Sequence, residues 1–369
     1  MELLFDCHTF DAGPQGTTTF LAGLIDALPE AARKRSLPLA VTCAARDPDA
    51  VSRFVETSCR FEEMRGGFAA RNLVELPRLT RQPGLDAVVS QYVRPFRSSA
   101  PTVSVIHDVL FLDFPALFGW RYRMMRQLLF GWAARHSDVV ITVSAYSRAR
   151  IAHHFGVDPA RIDVLTNAVD VTTPLPRPQG RAAGAPLKLL YVSRFEIRKR
   201  QHWCVAAANA LAKQGYQVEL TLVGDASGAY AASVRAAIVA DRVPGAVVSV
   251  RSDVSRDDLH ALFAEADLFL FPSECEGFGI PVIEAAANGV PCVVAANTAM
   301  IELENWYAGL AVRENDRAAF VGSVVTAVAR LPALRHEAAD RAPKVRAAFR
   351  WPEVADEFVG ILQRRGVIA

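Results

Sequence analysis

Two series of short apolar runs, each run followed by enough chain for a helix, constrain the fold more than any other feature. The first series is MELLF (1–5), PLAVTC (38–43), DAVVSQ (86–91), TVSVIH (102–107) and DVVITVS (138–144). The second is LKLLYVS (187–193), VELTLVG (218–224), AVVSV (246–250), DLFLF (267–271) and PCVVA (291–295). Such runs read as buried strands, and the long intervals between them supply the helical crossovers that parallel pairing requires. Between the two series, TTPLPRPQGRAAGAP packs four prolines and two glycines into residues 172–186 without helical or strand period, the mark of a linker. After it, Leu259, Leu262, Phe263 and Ala266 give one apolar helix face, and Phe320, Val321, Val324, Val325 and Val328 give another. The expectation is two doubly wound α/β domains, 1–171 and 187–348, followed by a terminal segment 349–369. Open sheets of this kind bind ligands outside the carboxyl ends of their strands, so a cleft between the domains is the default site.

The totals agree with that division. A chain of 369 residues, 51% apolar and 22% charged, has material for two cores and little for extended disorder. Its formal charge of +2 gives no reason to expect a nucleic-acid partner. Six scattered cysteines without a C-x-x-C pair suit free thiols in a reducing compartment and offer no metal site. The start MELLFDCHTF lacks the basic and long apolar regions of a signal peptide, and no run reaches the ~18 apolar residues of a membrane span. The expected location is the cytoplasm, with peripheral attachment to the inner face of the cell membrane left open.

One stretch carries more chemistry than folding needs. ECEGFGIPVIEAAANG, from Glu274, crowds Glu274, Glu276 and Glu284 around two glycines where a buried strand gives way to a helix. Pro281 fits the first helical turn, which leaves the amides of Phe278, Gly279 and Ile280 at a helix N-terminus, where an anion such as phosphate is favoured. Glu276 and Glu284 can accept hydrogen bonds from hydroxyl groups on either side of it. A plain strand-to-helix turn with glutamates favouring the helix start fits this short piece equally well. In YVSRFEIRKRQHW, Arg194 and Lys199 stand five apart after another strand and can bind a diphosphate; the alternative is a solvated basic loop, which is the reading for Arg198 and Arg200. His107, next to Asp108 at a strand end, reads by itself as a hydrogen-bonded turn. GPQGTT, with Gly13 and Gly16, lacks the G-x-G-x-x-G spacing of a dinucleotide loop.

Taken in order, these pieces resemble a known family. DLFLFPSECEGFGIPVIEAAANGVPCVV resembles the signature of the retaining family 4 glycosyltransferases, and SRFEIRKRQ their phosphate-binding arginine-lysine loop. FDAGPQGTTTFLAGLIDAL, VIHDVLFLDFP, DVVITVSAYSRARIAHHFGVDPARIDVLTNAVD and LVGDASG match further segments in the family's order across nearly the whole chain. The resemblance implies a GT-B fold, two Rossmann-like domains facing an interdomain cleft, with the terminal helix of 349–369 crossing back to the first domain and hinge motion about 170–186. It also implies a nucleotide-sugar donor, a GDP- or UDP-hexose, with no further cofactor and no metal. Glu276 would contact the hexose, Glu284 the ribose, Arg194 and Lys199 the diphosphate, and the amides of Phe278, Gly279 and Ile280 the sugar-phosphate pocket. His107, Gly13 and Gly16 would meet the sugar from the first domain. The implied reaction is a front-face transfer of a hexose, with mannose from GDP-mannose as one candidate, to a glycan or polyprenyl-linked acceptor of surface polysaccharide synthesis. An inactive nucleotide-sugar-binding protein and an NDP-sugar epimerase or phosphorylase-like enzyme are the alternatives.

The chain departs from the family pattern at three places. Arg200 stands where glycine commonly follows the lysine, Ala168 replaces a glycine after Asn167, and AANTAMIELE lacks the paired glycines beside the distal phosphate, which puts the geometry near Thr298 and Met300 in question. Residues 119–136 predict a helix whose Met124, Met125, Leu128, Leu129 and Trp132 pack inward, leaving Arg123, Arg126 and Phe130 toward solvent or, alternatively, toward anionic lipid or a polyprenyl-linked acceptor. RWPEVADEFVGILQRRGVIA predicts a last helix with Trp351, Val354, Phe358 and Ile361 on its apolar face.

Overall fold

All ten apolar runs become strands in the computed structural model, which describes residues 1–12, 15–170 and 184–369. The expected linker falls almost entirely outside these residues, as does Gly13. The chain divides into two compact units, Met1–Ala168 with Phe349–Ala369, and Val169–Ala348.

The first unit holds β1 (Glu2–Asp6), β2 (Ala40–Ala45), β3 (Arg60–Glu63), β4 (Ala87–Gln91), β5 (Thr102–Val105), β6 (Val139–Thr142) and β7 (Ile162–Val164). They form one parallel sheet in the order β3-β2-β1-β4-β5-β6-β7. Helix Gly16–Lys34 follows β1, and the terminal helix Trp351–Arg364 packs on it. The Trp351 ring lies 6.3 Å from that of Phe20, and Arg35 donates to Asp356 and Gln363, each at 2.8 Å. Trp351, Val354, Phe358 and Ile361 are all buried, as their spacing predicts.

The second unit holds β8 (Leu187–Val192), β9 (Val218–Val223), β10 (Ala246–Arg251), β11 (Leu268–Phe271), β12 (Cys292–Ala295) and β13 (Gly309–Val312), all parallel in the order β10-β9-β8-β11-β12-β13. Leu189, Leu220, Phe269, Phe271 and Val293 are at most 1% exposed, because helices cover both faces of a parallel sheet. In each unit the strand order runs outward one way from the first strand and then restarts on its other side. The crossover loops therefore part at one point, between β1 and β4 in the first sheet and between β8 and β11 in the second, and open a crevice at the carboxyl ends.

One expectation inverts in large part, although Leu129 packs against the core as expected. Helix Trp120–His136 buries Phe130, Ala133 and Ala134, while Met124, Met125 and Leu128 are exposed. The inward face is chosen by the aromatic cluster at the sheet, where Phe130 stacks on Tyr92 at 4.8 Å and meets Phe111 edge-on, rather than by the longer row of methionine and leucine. Among the described residues no single helix is long and apolar enough to cross a membrane.

Candidate functional site

At the switch point of the second sheet, the loop leaving β8 and the loop leaving β11 are bound to each other. The Glu274 amide donates to the Arg198 carbonyl at 2.7 Å, and Arg198 Nη1 returns a bond to the Cys275 carbonyl at 2.8 Å. Between them Lys199 Nζ donates to Glu276 Oε1 at 2.5 Å, and both residues are only 8% exposed. Burial pushes the Glu276 carboxyl up, but Lys199 and Arg198 together outweigh it and hold the group below its ordinary value. The Lys199 ammonium is lowered, first by burial and then by Arg198, with Glu276 acting against both. A charged pair at this depth is costly to assemble and adds little to stability on balance, so its place at a crevice points to use.

The remaining cations are organised around it. Glu196 bridges Arg194, 3.1 Å away, and Arg198, 2.8 Å away. The Arg194 side chain is half exposed. Arg198 and Arg200 are not the solvated charges expected from the sequence. Arg198 is tied into both loops, and Arg200 pairs with Glu274 at 3.0 Å, bonds to Asn315 and lies 4.3 Å over the Trp203 ring. Arg200 has φ +54°, so the backbone here takes the left-handed form that a glycine adopts without strain. Thr298, in the third departure from the family pattern, also has a left-handed backbone, φ +47°, and its Oγ1 accepts the Glu276 amide at 2.9 Å. Those two side chains therefore keep a conformation that favours glycine and add contacts glycine cannot make. Ala168 is fully buried with no positive φ.

Helix Ile280–Ala287 starts as predicted, with Pro281 in its first turn and Gly279 before it at φ +104°. A Cβ on Gly279 would lie 2.2 Å from Met300 Cε, so both the dihedral and the close approach demand glycine. Phe278 is buried, and the amides of Val282 and Ile283 donate to the Gly279 carbonyl at 3.0 and 3.4 Å, which closes the first turn and leaves the amides of Gly279 and Ile280 at the very start of the helix. Glu284 lies one turn in, partly buried, its carboxyl pushed up to about 7 by burial and by Asp170, with Arg256 opposing. Asp170 and Arg256 form an ion pair at 2.6 Å. Gly224, at φ +147°, lets the loop after β9 run against the Ser193 carbonyl, where a Cβ would sit 2.1 Å away.

In the first unit the structure brings His107 to Gln91, with Nε2 2.9 Å from Oε1, and Gln91 Nε2 donates to Thr9 Oγ1 at 3.0 Å. His107 is buried between Phe20 and Tyr92, and burial pushes its imidazole down to about 3, so it is neutral. Gly16 opens the helix that carries Phe20. Tyr92, just past β4, has φ +65°, an uncommon backbone for an aromatic residue and one found where function or packing over-determines it. Sequence reasoning missed a neighbouring group. The Asp6 carboxylate, fully buried at the end of β1, is 3.0 Å from His8 Nδ1 and 3.6 Å from Arg71 Nε. His8, Arg46 and Arg71 line a cavity of about 190 Å³ beside it. The Asp6-x-His8 spacing at a strand end was the available signal. Among the described residues, no three His, Cys, Asp or Glu side chains gather so as to hold a metal ion.

The comparisons with known proteins match this division. The profile of Glycosyltransferase Family 4 covers residues 16–173, and that of Glycosyl transferases group 1 covers residues 186–330, which include the Lys199–Glu276 pair. The chain belongs to the group 1 and family 4 glycosyltransferases. It is 29% identical over 229 residues to a glycogen synthase of Mycobacterium tuberculosis, covering 61% of this chain and 53% of that one. It is 33% identical over 180 residues to the GDP-mannose-dependent alpha-(1-6)-phosphatidylinositol monomannoside mannosyltransferase of the same species, covering 44% of each. The aligned region spans about half the length of these curated relatives. Among solved structures, sucrose-phosphate synthase from Thermosynechococcus elongatus superimposes with a TM-score of 0.78 at 19% identity over 99% of this chain and 98% of that one. Anabaena HepE in complex with UDP-glucose gives 0.75 at 18% identity over 99% and 100%. As a glycosyltransferase family member with two parallel-sheet α/β units, the chain has the GT-B fold.

Proposed function

We propose that this family member transfers a hexose from a nucleoside-diphosphate sugar to a glycan or lipid-linked acceptor, with retention of configuration. The observation that carries the reading is the buried Lys199–Glu276 pair at the switch point of the second unit, beside the glycine-opened start of helix Ile280–Ala287. Lys199 and Arg194 neutralise the diphosphate, and the amides of Phe278, Gly279 and Ile280 receive the sugar phosphate, which supplies counter-charge from the chain itself. Lys199 then turns from Glu276 to phosphate as donor enters, and the freed Glu276 carboxylate accepts hydroxyls of the hexose. Glu284 takes the ribose hydroxyls. His107, neutral and donating its Nε2–H to Gln91 Oε1, has only Nδ1 left, which accepts a hydrogen bond from a sugar hydroxyl.

The bond from the anomeric carbon to the diphosphate oxygen breaks while the acceptor hydroxyl attacks from the same face, and its proton passes to the departing oxygen. The protein contributes position and charge stabilisation rather than a nucleophile. The relatives support a nucleotide-sugar donor, since HepE is seen with UDP-glucose and one relative is named for GDP-mannose. The test is incubation with GDP-mannose, UDP-glucose and UDP-galactose, with and without EDTA, followed by NMR of the anomeric proton. Transfer with the donor's own anomeric configuration supports the proposal. Inverted product, an isomerised free sugar, or binding without turnover each rejects it.

A further inference from the structure

We infer that the first unit docks on an anionic lipid surface through the exposed face of helix Trp120–His136 and the adjoining segment Phe68–Leu76. This goes beyond the transfer chemistry and rests on different residues. Every large apolar side chain that is exposed among the described residues of the first unit falls in these two segments. Trp120 is 64% exposed, Met124 55%, Met125 54% and Leu128 70%; Leu73 and Val74 are 58% and 62%. Three of the five residues that the sequence assigns to the core, Met124, Met125 and Leu128, are thus the ones left in water. Single exposed apolar residues are ordinary, but a cluster confined to one region marks an interaction site.

The two segments adjoin. The Phe96 amide donates to the Asn72 carbonyl at 3.0 Å, and the Phe96 ring lies 5.0 Å from that of Trp132, on the same helix as Leu128. The partner's chemistry follows from the charges. From Leu117 to Ser137 the chain has Arg121, Arg123, Arg126 and Arg135 and not one carboxylate. Arg121 lies over the Trp120 ring at 5.3 Å, and Arg126 over Tyr122 at 4.1 Å, so these guanidinium groups are supported by rings rather than paired with acids. Tryptophan, methionine and leucine beside unpaired arginine suit the boundary between acyl chains and phosphate headgroups. A second copy of the chain fits poorly, because a two-fold contact through this face would set arginine helix against arginine helix.

The test is flotation of the full chain with vesicles of phosphatidylcholine and phosphatidylglycerol, in about a 7:3 ratio, against phosphatidylcholine alone. Wild type should partition more than tenfold better onto the anionic vesicles, and raised salt should weaken it. Leu128→Ser should cost roughly tenfold and Arg121→Glu at least about fivefold, with thermal melts unchanged because both positions are at the surface. Equal partition onto the two vesicle types, or full binding by Leu128→Ser, overturns the inference. So does a concentration-dependent dimer that Leu128→Ser abolishes in a protein that ignores vesicles.

Discussion

The two sheets share one strand order and one switch point, yet the residues gathered there differ in kind. In the second unit the crevice holds charge, with Lys199, Arg198 and Glu276 in contact and Arg194 and Arg200 close by. In the first unit the charges at the end of β1, Asp6 and Arg71, lie 3.6 Å from each other, and beside them a neutral chain, Thr9 to Gln91 to His107, lies between aromatic rings. Topology fixes where a ligand can bind, and the side chains on the exit loops fix what kind. Fixed cations suit an anionic diphosphate, whereas a neutral imidazole and amide suit hydroxyl groups.

The contrast breaks most directly at Lys199. Lys199→Ala should lower kcat by roughly 10²–10³ and also destabilise the protein by about 3–5 kcal/mol, because Glu276 is left charged and buried. The double variant Lys199→Met with Glu276→Gln should recover much of that stability without recovering turnover, as followed by urea melts beside a donor assay. Wild-type turnover in either variant would remove the charged crevice from the chemistry.

At His107 the neutral crevice is tested by acid. The folded state holds the imidazole near 3 against about 6.5 in the unfolded chain, so the unfolded state takes up the proton first. The associated stability is complete above pH ~6.5 and is lost as pH falls toward 3, on the order of 3 kcal/mol by pH 4. His107→Gln should flatten this part of the pH profile in thermal melts; an unchanged slope would show that His107 is not held neutral.

Glu284 gives a smaller effect of opposite direction. Its folded value near 7 lies above the ordinary carboxyl range, so stability from this group is full below about pH 4.5 and declines as pH rises toward 7. Screening of a partly exposed carboxyl limits the change to about 1–2 kcal/mol. Glu284→Gln should therefore be relatively more stable at pH 8 than at pH 5, and equal differences at both would sink the assignment. Arg200→Gly should change stability by no more than about 1 kcal/mol, since relief of the left-handed backbone offsets the lost Glu274 pair and Trp203 stacking. A loss above 3 kcal/mol in denaturant melts would mean the pairing outweighs the backbone.

The central strands and the glycine-proline helix start were legible because their signals are local: unbroken apolar runs, and a left-handed Gly279 ahead of Pro281. Three strands were not, namely β3, β7 and β13, all at sheet edges. RFEE carries three charges in four residues, and IDV and GLAV are too short to show a period. An edge strand is specified by the neighbour it pairs with more than by its own composition. In helix Trp120–His136 the sequence reading placed Met124, Met125 and Leu128 inward and Phe130 outward, because apolar residues nearly encircle the helix, and only the tertiary contact of Phe130 with Tyr92 and Phe111 settles the choice. The site showed the same split. Lys199 and Glu276 stood out by motif, but the partners that tie Arg198 and Arg200 to other loops, Cys275 and Asn315, are 77 and 115 residues away along the chain, and Arg71 reaches Asp6 only when β1 is folded beside its neighbours.

The measurement that bears most directly on the charged crevice is calorimetric titration of UDP and GDP in EDTA, comparing wild type with Arg194→Ala, whose half-exposed side chain can be removed without leaving a buried charge unpaired. At least one of the two nucleotides should bind wild type without metal, and Arg194→Ala should weaken it by roughly tenfold. No binding of either nucleotide, or equal affinity in the variant, would contradict the assignment of these cations to a diphosphate.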